Sequence, residues 1–177
     1  MRYVLLTGGP EINYAGIKML LRDDDTVICA DAGATHARRM GIVPNLIVGD
    51  MDSIDEDTKK WAQKNSVKTK DYPVQKDLTD SEIALDYVPE DASVLFILSL
   101  KGRIDHVLSN IMMTSRRAIS GRSLVLTDGY ALIYPVIPGV DHSFDLSLWP
   151  EEKQRQDLAV SIIPMFDTAR DVTTKDL

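Results

Sequence analysis

The chain has 177 residues, 44% of them apolar, and a formal net charge of −7 at pH 7. This apolar content excludes global disorder, and the negative charge argues against nucleic acid or an anionic membrane as the main partner. No apolar run approaches the roughly 18 residues that span a membrane. The only cysteine, Cys29, lies within an apolar run, so no disulfide can form within one chain and a cytoplasmic location is expected.

Short apolar runs alternate with helical patterns as far as Asp128. The predicted strands are 3–6, 26–30, 46–50, 67–72, 93–98 and 124–126, and the predicted helices are 12–21, 34–40, 55–64, 80–87 and 104–119. Ser53 with Glu56, and Thr79 with Glu82, have the spacing of capping boxes. The alternation predicts an α/β domain over residues 1–128, with a mainly parallel sheet and flanking helices.

The longest helical pattern, at 104–119, predicts one apolar stripe formed by Ile104, Val107, Leu108, Ile111, Met112, Ser115 and Ile119. After Asp128 the pattern changes. The apolar stretches 131–137, 143–149 and 158–163 are separated by Pro and Gly, with no helical pattern between them. They predict strands of a second, antiparallel unit over residues 129–177.

The segment 46–53 (Leu-Ile-Val-Gly-Asp-Met-Asp-Ser) places two carboxylates directly after a short apolar strand. In an α/β sheet, ligands bind just beyond the carboxyl ends of the strands. Asp50 and Asp52 are two positions apart, so in an extended chain both side chains point the same way. Two such oxygen donors, with no His or Cys nearby, suit a hard cation such as Mg²⁺. The alternative is a solvated loop whose aspartates cap the next helix.

Other carboxylates follow strands or enter helices at the same predicted edge, namely Asp31, Asp77, Asp80, Asp105 and Asp128. Clustered carboxylates repel one another unless a cation or a positive side chain intervenes. Lys76 and Arg103 each lie within three residues of such an aspartate. Mg²⁺ with phosphate therefore fits, because carboxylates hold the metal while Lys and Arg hold phosphate oxygens.

Structural alternatives stay open for several of these residues. For Asp80 the alternative is a favourable interaction with a helix dipole, whatever its function. For Thr79 it is a helix cap with no further role, and for Arg103 it is a surface ion pair with no further role. The Gly-rich nucleotide motifs are absent from the sequence. The residues alone predict an α/β protein with a Mg²⁺-dependent phosphate site.

Three blocks, in this order, resemble the thiamine pyrophosphokinase family: 49–54 (Gly-Asp-Met-Asp-Ser-Ile), 76–82 (Lys-Asp-Leu-Thr-Asp-Ser-Glu) and 102–106 (Gly-Arg-Ile-Asp-His) continuing to Asn110-Ile111. An earlier block, 30–34 (Ala-Asp-Ala-Gly-Ala), and a later one, 172–175 (Val-Thr-Thr-Lys), resemble further segments of that family. The resemblance extends over nearly the whole chain, and the order of the blocks makes it specific.

The resemblance implies an α/β catalytic, nucleotide-binding domain followed by a small β-sandwich, working as a homodimer with sites between subunits. It implies transfer of the β,γ-pyrophosphoryl group of ATP to the hydroxyl of thiamine, giving thiamine diphosphate and AMP. By position, it assigns Mg²⁺ to Asp50, Asp52 and Asp80. It places around the polyphosphate Lys76, Asp77, Thr79 and Arg103. It gives catalytic roles to Asp31, Arg103 and Asp105.

The chain departs from the family pattern at Ala32 and Thr35, where Gly and Asn are usual, and it ends at Leu177, so we expect an incomplete β-sandwich. Two alternative functions compete with the kinase. A phosphohydrolase of the haloacid-dehalogenase type also places Asp-x-Asp after an apolar strand, but Asp128 alone poorly matches the acidic pair it needs later. The other alternative is a protein that binds Mg²⁺–nucleotide without turnover.

Overall fold

The computed structural model describes residues 1–73, 77–137, 139 and 159–165. The chain divides into two units, Met1–Phe144 and Asp145–Leu177. Every helix and strand formed by the described residues belongs to the first unit. None of these helices is long and apolar enough to cross a membrane.

The strands are β1 (Arg2–Leu6), β2 (Thr26–Ala30), β3 (Leu46–Gly49), β4 (Lys68–Asp71), β5 (Ser93–Ile97), β6 (Leu124–Thr127) and β7 (Leu132–Ile133). The helices are α1 (Tyr14–Leu20), α2 (Gly33–Met40), α3 (Glu56–Lys64), α4 (Asp80–Asp86) and α5 (Ile104–Ile119). Each predicted α/β element up to residue 126 is therefore present, with ends that differ by one or two residues.

The seven strands form one sheet in the order β4-β3-β2-β1-β5-β6-β7. The first six strands in this order are parallel to one another, and β7 pairs antiparallel with β6. The prediction of a mainly parallel α/β sheet is confirmed. The strand order reverses between β1 and β5, which is the topological switch point where such sheets bind ligands.

Helices cover both faces of this sheet, because the central strand β1 sends alternate apolar side chains to opposite sides. Val4 and Leu6 pack with residues of α1, α2 and α3. Leu5 packs on the other face with residues of α4 and α5. Because the first six strands are parallel, their carboxyl ends lie at the same edge of the sheet, and the loops that follow them meet there.

The buried face of α5 differs from the predicted stripe. Val107 is buried as predicted, but Thr114 and Ala118 replace the larger side chains against the sheet. Small residues let the helix approach closely, and the Thr114 hydroxyl donates hydrogen bonds to the carbonyls of Asn110 and Ile111, so its polar atom is satisfied. The predicted stripe is wrong for Ile104, Leu108, Met112 and Ile119, which are exposed.

The cap of α3 also differs from its prediction. Asp55, not Ser53, is the N-cap, and its carboxylate accepts a hydrogen bond of 2.8 Å from the Thr58 N–H. The Ser53 hydroxyl instead donates to the carboxylate of Asp31. A nearer Asp therefore replaces the predicted cap, because it can bond both the N–H and the hydroxyl of Thr58. The second predicted capping box, Thr79 with Glu82, is confirmed.

The second predicted domain is described only in part. Of the predicted strand 131–137, only Leu132–Ile133 form a strand, β7, which joins the main sheet by pairing with β6 rather than starting a separate one. Residues 159–165 form neither helix nor strand, so the strand predicted at 158–163 does not appear over those residues. The predicted strand 143–149 and the Thr-Thr segment near 173 lie outside the described residues. The β-sandwich over 129–177, its incompleteness and the boundary at 128 stay predictions.

Candidate active site

Three carboxylates meet at the ends of two neighbouring strands. Asp31 follows β2, while Asp50 and Asp52 follow β3. The pairing of the strands continues past β2, since the Asp31 N–H donates to the Val48 carbonyl at 2.8 Å. One carboxylate oxygen from each of the three aspartates lies within 4.8 Å of the others. The sheet register therefore assembles the pair predicted from the sequence together with Asp31.

Asp80 reaches the same place from the start of α4, and Gly49 makes the approach possible. A Cβ at position 49 would lie 2.9 Å from the Cβ of Asp31 and 3.2 Å from Oδ1 of Asp80. Gly49 also has φ +144°, a conformation that L side chains rarely adopt. Because Gly49 has no side chain, Asp31 and Asp80 can both approach the backbone at this strand end.

The cluster is electrostatically strained. Burial raises the pKa of Asp31, and the charges of Asp50 and Asp80 raise it further, while the Ser53 hydrogen bond opposes them. The pKa of Asp52 is raised mainly by its hydrogen bond with Asp50 and by that charge. Like charges held this close favour a bound cation or a retained proton. Two residues of the loops, Asp31 (φ 45°) and Met51 (φ 60°), adopt left-handed conformations, and such conformations cluster at functional sites.

The donor set fits Mg²⁺. Oδ1 of Asp31 is buried and accepts no hydrogen bond from the described part of the chain. It belongs to a group of carboxylates whose oxygens lie within one coordination sphere of each other. Hard divalent cations prefer oxygen ligands of this kind. The solvated-loop alternative does not explain why Asp31, Asp50 and Asp52 converge, since Asp55 alone caps the following helix.

Arg103 and Asp105 stand apart from this cluster at the start of α5. The Arg103 guanidinium donates two hydrogen bonds to the Asp105 carboxylate, from Nε at 3.1 Å and from Nη2 at 2.5 Å. This pairing lowers the pKa of Asp105 to about 2. Both side chains are more than half exposed. Since α5 follows β5, two strands away from β2 in the sheet, the pair originates about 10 Å from the end of β2.

The remaining predicted site residues are divided. Lys76 lies outside the described residues. Asp77 is exposed in the loop before α4. The Thr79 hydroxyl accepts from the Glu82 N–H at 3.2 Å and donates to the Glu82 carboxylate at 2.9 Å, so in this structure it caps α4. The roles of all three toward a polyphosphate stay predictions.

Sequence reasoning missed Ser53 and Gly49 as parts of the site. Ser53 holds the Asp31 carboxylate, but its spacing to Glu56 favoured a cap. The better signal was Asp55 with Thr58, an alternative cap that leaves Ser53 available. Gly49 stood between an apolar strand and Asp50, where a glycine indicates close approach of another group.

A doubly wound sheet with converging carboxylates at its carboxyl edge is typical of α/β proteins that bind phosphate ligands through a divalent cation. The family model described as "Thiamin pyrophosphokinase, catalytic domain" matches residues 17–126 of the chain. Because the match covers more than half of its residues, the chain belongs to the thiamin pyrophosphokinase family.

Individual relatives agree with this assignment. Thiamine pyrophosphokinase of Bacillus subtilis (strain 168) is 26% identical over 171 residues, covering 96% of this chain and 76% of the relative. Thiamine pyrophosphokinase 1 of Oryza sativa subsp. japonica is 26% identical over 173 residues, covering 85% of this chain and 63% of the relative. The crystal structure of thiamin pyrophosphokinase from Geobacillus thermodenitrificans superposes with a TM-score of 0.61 at 26% identity, covering 72% of this chain and 59% of that one.

The matched region therefore spans less than two thirds of the rice protein and of the Geobacillus structure. The fold and the family agree with the resemblance seen in the sequence. Neither alternative, the haloacid-dehalogenase-type phosphohydrolase or the non-catalytic nucleotide binder, finds support in these comparisons.

Proposed function

We propose that this chain transfers the β,γ-pyrophosphoryl group of ATP to the hydroxyl of thiamine, giving thiamine diphosphate and AMP. The observation that carries the proposal is the cluster of Asp31, Asp50 and Asp52 within a chain that belongs to the thiamin pyrophosphokinase family. The hydroxyl oxygen forms a bond to the β-phosphorus. The bond between that phosphorus and the oxygen that stays on AMP breaks, and the hydroxyl proton passes to a base.

The family resemblance assigns Mg²⁺ to Asp50, Asp52 and Asp80. Asp31 would be a further oxygen donor, because its carboxylate lies with those of Asp50 and Asp52 and Asp80 approaches the same place. When bound, the cation neutralises polyphosphate charge that the carboxylates alone would repel. The protein's own contribution is alignment, since holding the two reactants in line supplies much of the rate. The rigid ends of β2 and β3 provide that alignment for the donor.

Arg103 is the residue proposed to bind polyphosphate oxygens. Its guanidinium is exposed and already makes a two-pronged contact with a carboxylate, which is the geometry that phosphate oxygens also accept. Two carboxylates are candidates for the proton acceptor, Asp31 and Asp105. Asp105, held by Arg103 with a pKa of about 2, is the weaker base in this arrangement.

We also propose that the chain acts as a homodimer in the cytoplasm and that residues 129–177 contribute to thiamine binding. The family resemblance supports the dimer and the thiamine site. The single cysteine supports a reducing compartment, because it is free and buried.

One incubation tests the reaction. The chain is mixed with ATP, Mg²⁺ and thiamine, and the products are separated by ion-exchange chromatography. We expect AMP and thiamine diphosphate in equal amounts, with no AMP when thiamine is left out. Inorganic phosphate released regardless of thiamine would indicate a hydrolase, and ATP binding without any product would indicate a nucleotide binder.

A further inference from the structure

An ion pair bridges the two loops that flank the switch point of the sheet. Glu11 lies in the loop after β1 and Lys101 in the loop after β5, and Nζ of Lys101 lies 2.7 Å from Oε1 of Glu11. The strands β1 and β5 are neighbours in the sheet. Doubly wound sheets bind their ligands in the crevice between two such loops. The Glu11–Lys101 pair therefore lies where a ligand is expected.

The backbones of these two loops are packed against each other, which fixes the position of the pair. A Cβ added to Gly9 would collide with the Cβ of Ser99, and one added to Gly102 would lie 3.1 Å from the side chain of Pro10. Gly102 also has φ +97°, a conformation that L side chains rarely adopt. The Ser99 hydroxyl accepts a hydrogen bond of 3.2 Å from the Lys101 N–H. Lys101 is thus anchored by its backbone, although its side chain is about half exposed.

An aromatic ring contacts the same ammonium group. Nζ of Lys101 lies 5.6 Å from the centroid of the Tyr130 ring, within the range of a cation–π interaction. The turn that carries Tyr130 is fixed, because the buried Asp128 carboxylate accepts hydrogen bonds from the N–H groups of Tyr130 and Ala131 at 2.8 and 3.0 Å. Tyr130 therefore keeps the Lys101 ammonium beside the crevice when Glu11 releases it.

The ion pair can be exchanged readily for a stronger anion. The side chains of Lys101 and Glu11 are 54% and 52% exposed, and ion pairs this exposed contribute little to stability. A polyphosphate offers several charged oxygens to one ammonium group, and water can solvate Glu11 after its release. Lys101 lies two positions before Arg103, so their Cα atoms are at most about 7 Å apart. A ligand that binds Arg103 is therefore close enough to attract Lys101.

We propose that Lys101 is a second polyphosphate-binding residue of the loop after β5, and that Glu11 holds its ammonium group until Mg²⁺–ATP displaces the carboxylate. The inference deepens the proposed function, on which it rests. The family resemblance assigns Arg103 but not Lys101 to the polyphosphate, so the inference adds a residue to that site. It also gives Glu11 the opposite role, that of a carboxylate that competes with the ligand.

Calorimetry tests the two roles through opposite effects. The probe is Mg²⁺ with α,β-methylene-ATP, in which a CH₂ group replaces the oxygen between the α- and β-phosphorus atoms and prevents transfer. Lys101→Met should raise the Kd of this probe about tenfold or more, the scale of a lost charge-assisted hydrogen bond. Glu11→Gln should lower the Kd about two- to fivefold, because Lys101 no longer has to leave an ion pair. The double variant should bind as weakly as Lys101→Met alone.

Matched controls use the same substitutions at the other edge of the sheet. Lys64 at the end of α3 and Glu90 in the loop before β5 are both exposed there. Lys64→Met and Glu90→Gln should leave the Kd within about twofold of the parent, the scale of a surface substitution. Tyr130→Phe keeps the ring and should bind like the parent, whereas Tyr130→Leu should raise the Kd about two- to fivefold. Melting temperatures verify that every variant is folded.

A Lys101→Met variant that binds the probe as well as Lys64→Met does would overturn the proposal. So would a Glu11→Gln variant that binds no more tightly than the parent. A gain from Glu11→Gln that persists in full in the double variant would also overturn it, because Glu11 would then act through its own charge and not through Lys101.

Thiamine diphosphate formation is measured on the same samples with ATP and thiamine. A chain that shows all the expected binding changes but makes no thiamine diphosphate would refute the proposed reaction and leave the role of Lys101 standing. A chain that makes thiamine diphosphate, with probe binding unaffected by Lys101→Met, would refute only this inference. The two failures are therefore distinguishable.

Discussion

The carboxyl edge of the sheet has two halves that are organised in different ways. On the β2–β3 side, paired strands bring Asp31, Asp50 and Asp52 together. The backbone of these strands keeps the three carboxylates close although their charges repel one another. On the β5 side, Arg103 and Asp105 are more than half exposed and neutralise each other. The switch point between β1 and β5 separates the two halves.

The difference shows what each half needs to become functional. The β2–β3 half is already assembled by sheet register, and its carboxylates repel one another, so we expect a bound cation to stabilise it. The β5 half is electrically satisfied, so Arg103 can bind a phosphate only by sharing or releasing Asp105. In the proposed reaction, Mg²⁺ bound to a polyphosphate would supply both changes together, with the cation at the β2–β3 half and phosphate oxygens at Arg103.

The largest expected effect comes from removing a charge in the assembled half. Asp52→Asn should lower kcat by at least about a hundredfold at saturating Mg²⁺, because loss of a ligand exceeds the 10–100-fold effect of losing a residue that merely supports one. Steady-state formation of AMP measures it. The melting temperature without metal should not fall, since the change removes repulsion with Asp50.

Asp57→Asn is the matched control, because Asp57 is an exposed aspartate of α3 outside the cluster. Its activity should equal that of the parent. If Asp52→Asn keeps activity within tenfold of the parent, Asp52 is not a metal ligand.

The second effect tests the β5 half, where Arg103 is paired with Asp105. Arg103→Lys keeps the charge but cannot form the two-pronged contact. We expect kcat/KM for ATP to fall roughly tenfold or more, the scale of a charge-assisted hydrogen bond of about 1.5–3 kcal/mol. Arg22→Lys, an exposed arginine in the loop between α1 and β2, serves as the control. An unchanged kcat/KM in Arg103→Lys would make Arg103 a surface residue only.

The sequence was sufficient to predict the α/β sheet, because strands and helices alternate with clear apolar periods and cap signals such as Thr79 with Glu82. It also predicted Asp50 and Asp52 as a pair. It also predicted Asp31 at the same edge of the sheet, but that Asp31 lies directly beside the pair depends on which strands are neighbours, and local pattern contains no such information. Sheet order is decided by tertiary packing.

The orientation of α5 could not be predicted for a similar reason. Its sequence contains two apolar faces, and the larger side chains suggested the wrong one. The helix instead buries Thr114 and Ala118, because small side chains allow close contact with the sheet. Likewise, Ser53 and Asp55 compete for one cap, and the spacing rule does not rank them.

The third effect concerns His36 of α2, which bonds the loop that follows β1 at the switch point. Nε2 of buried His36 donates to the Gly9 carbonyl at 3.0 Å, so Nδ1 is left to accept from the Tyr14 hydroxyl at 2.8 Å. Tyr14→Phe leaves that nitrogen without a partner and should lower the free energy of unfolding by about 1–3 kcal/mol. Urea denaturation measures it. A change below 0.5 kcal/mol, on the order of a surface substitution, would contradict the role of this bond.

The same network predicts a pH dependence. Burial lowers the pKa of His36 from its ordinary value of 6.5, so the folded state favours the neutral ring. The unfolded chain then binds more protons, and stability should decrease as the pH falls below about 6.5. His36→Gln should weaken this decrease between pH 7 and pH 5. An unaltered pH profile in the variant would assign the decrease to other groups.

The smallest expected effect distinguishes two residues of the loop before α3, namely Asp55, which caps the helix, and Ser53, which bonds Asp31. Asp55→Ala removes the N-cap and should lower the free energy of unfolding by about 1 kcal/mol at pH 7. The Thr58 side chain lowers the pKa of Asp55 from 3.8 to about 2. The cap is therefore fully effective above pH 3.8, and its contribution is lost as the pH falls toward 2. Denaturation curves of parent and variant should converge over that range.

Ser53→Ala provides the contrast, because the Ser53 hydroxyl bonds Asp31 and not the helix. It should leave the stability of α3 unchanged near neutral pH, yet lower activity by releasing a carboxylate at the β2–β3 half. Asp55→Ala should lower stability while leaving kcat close to that of the parent. If Ser53→Ala destabilises the chain as much as Asp55→Ala does, Ser53 supports the helix, and its assignment to the carboxylate cluster is wrong.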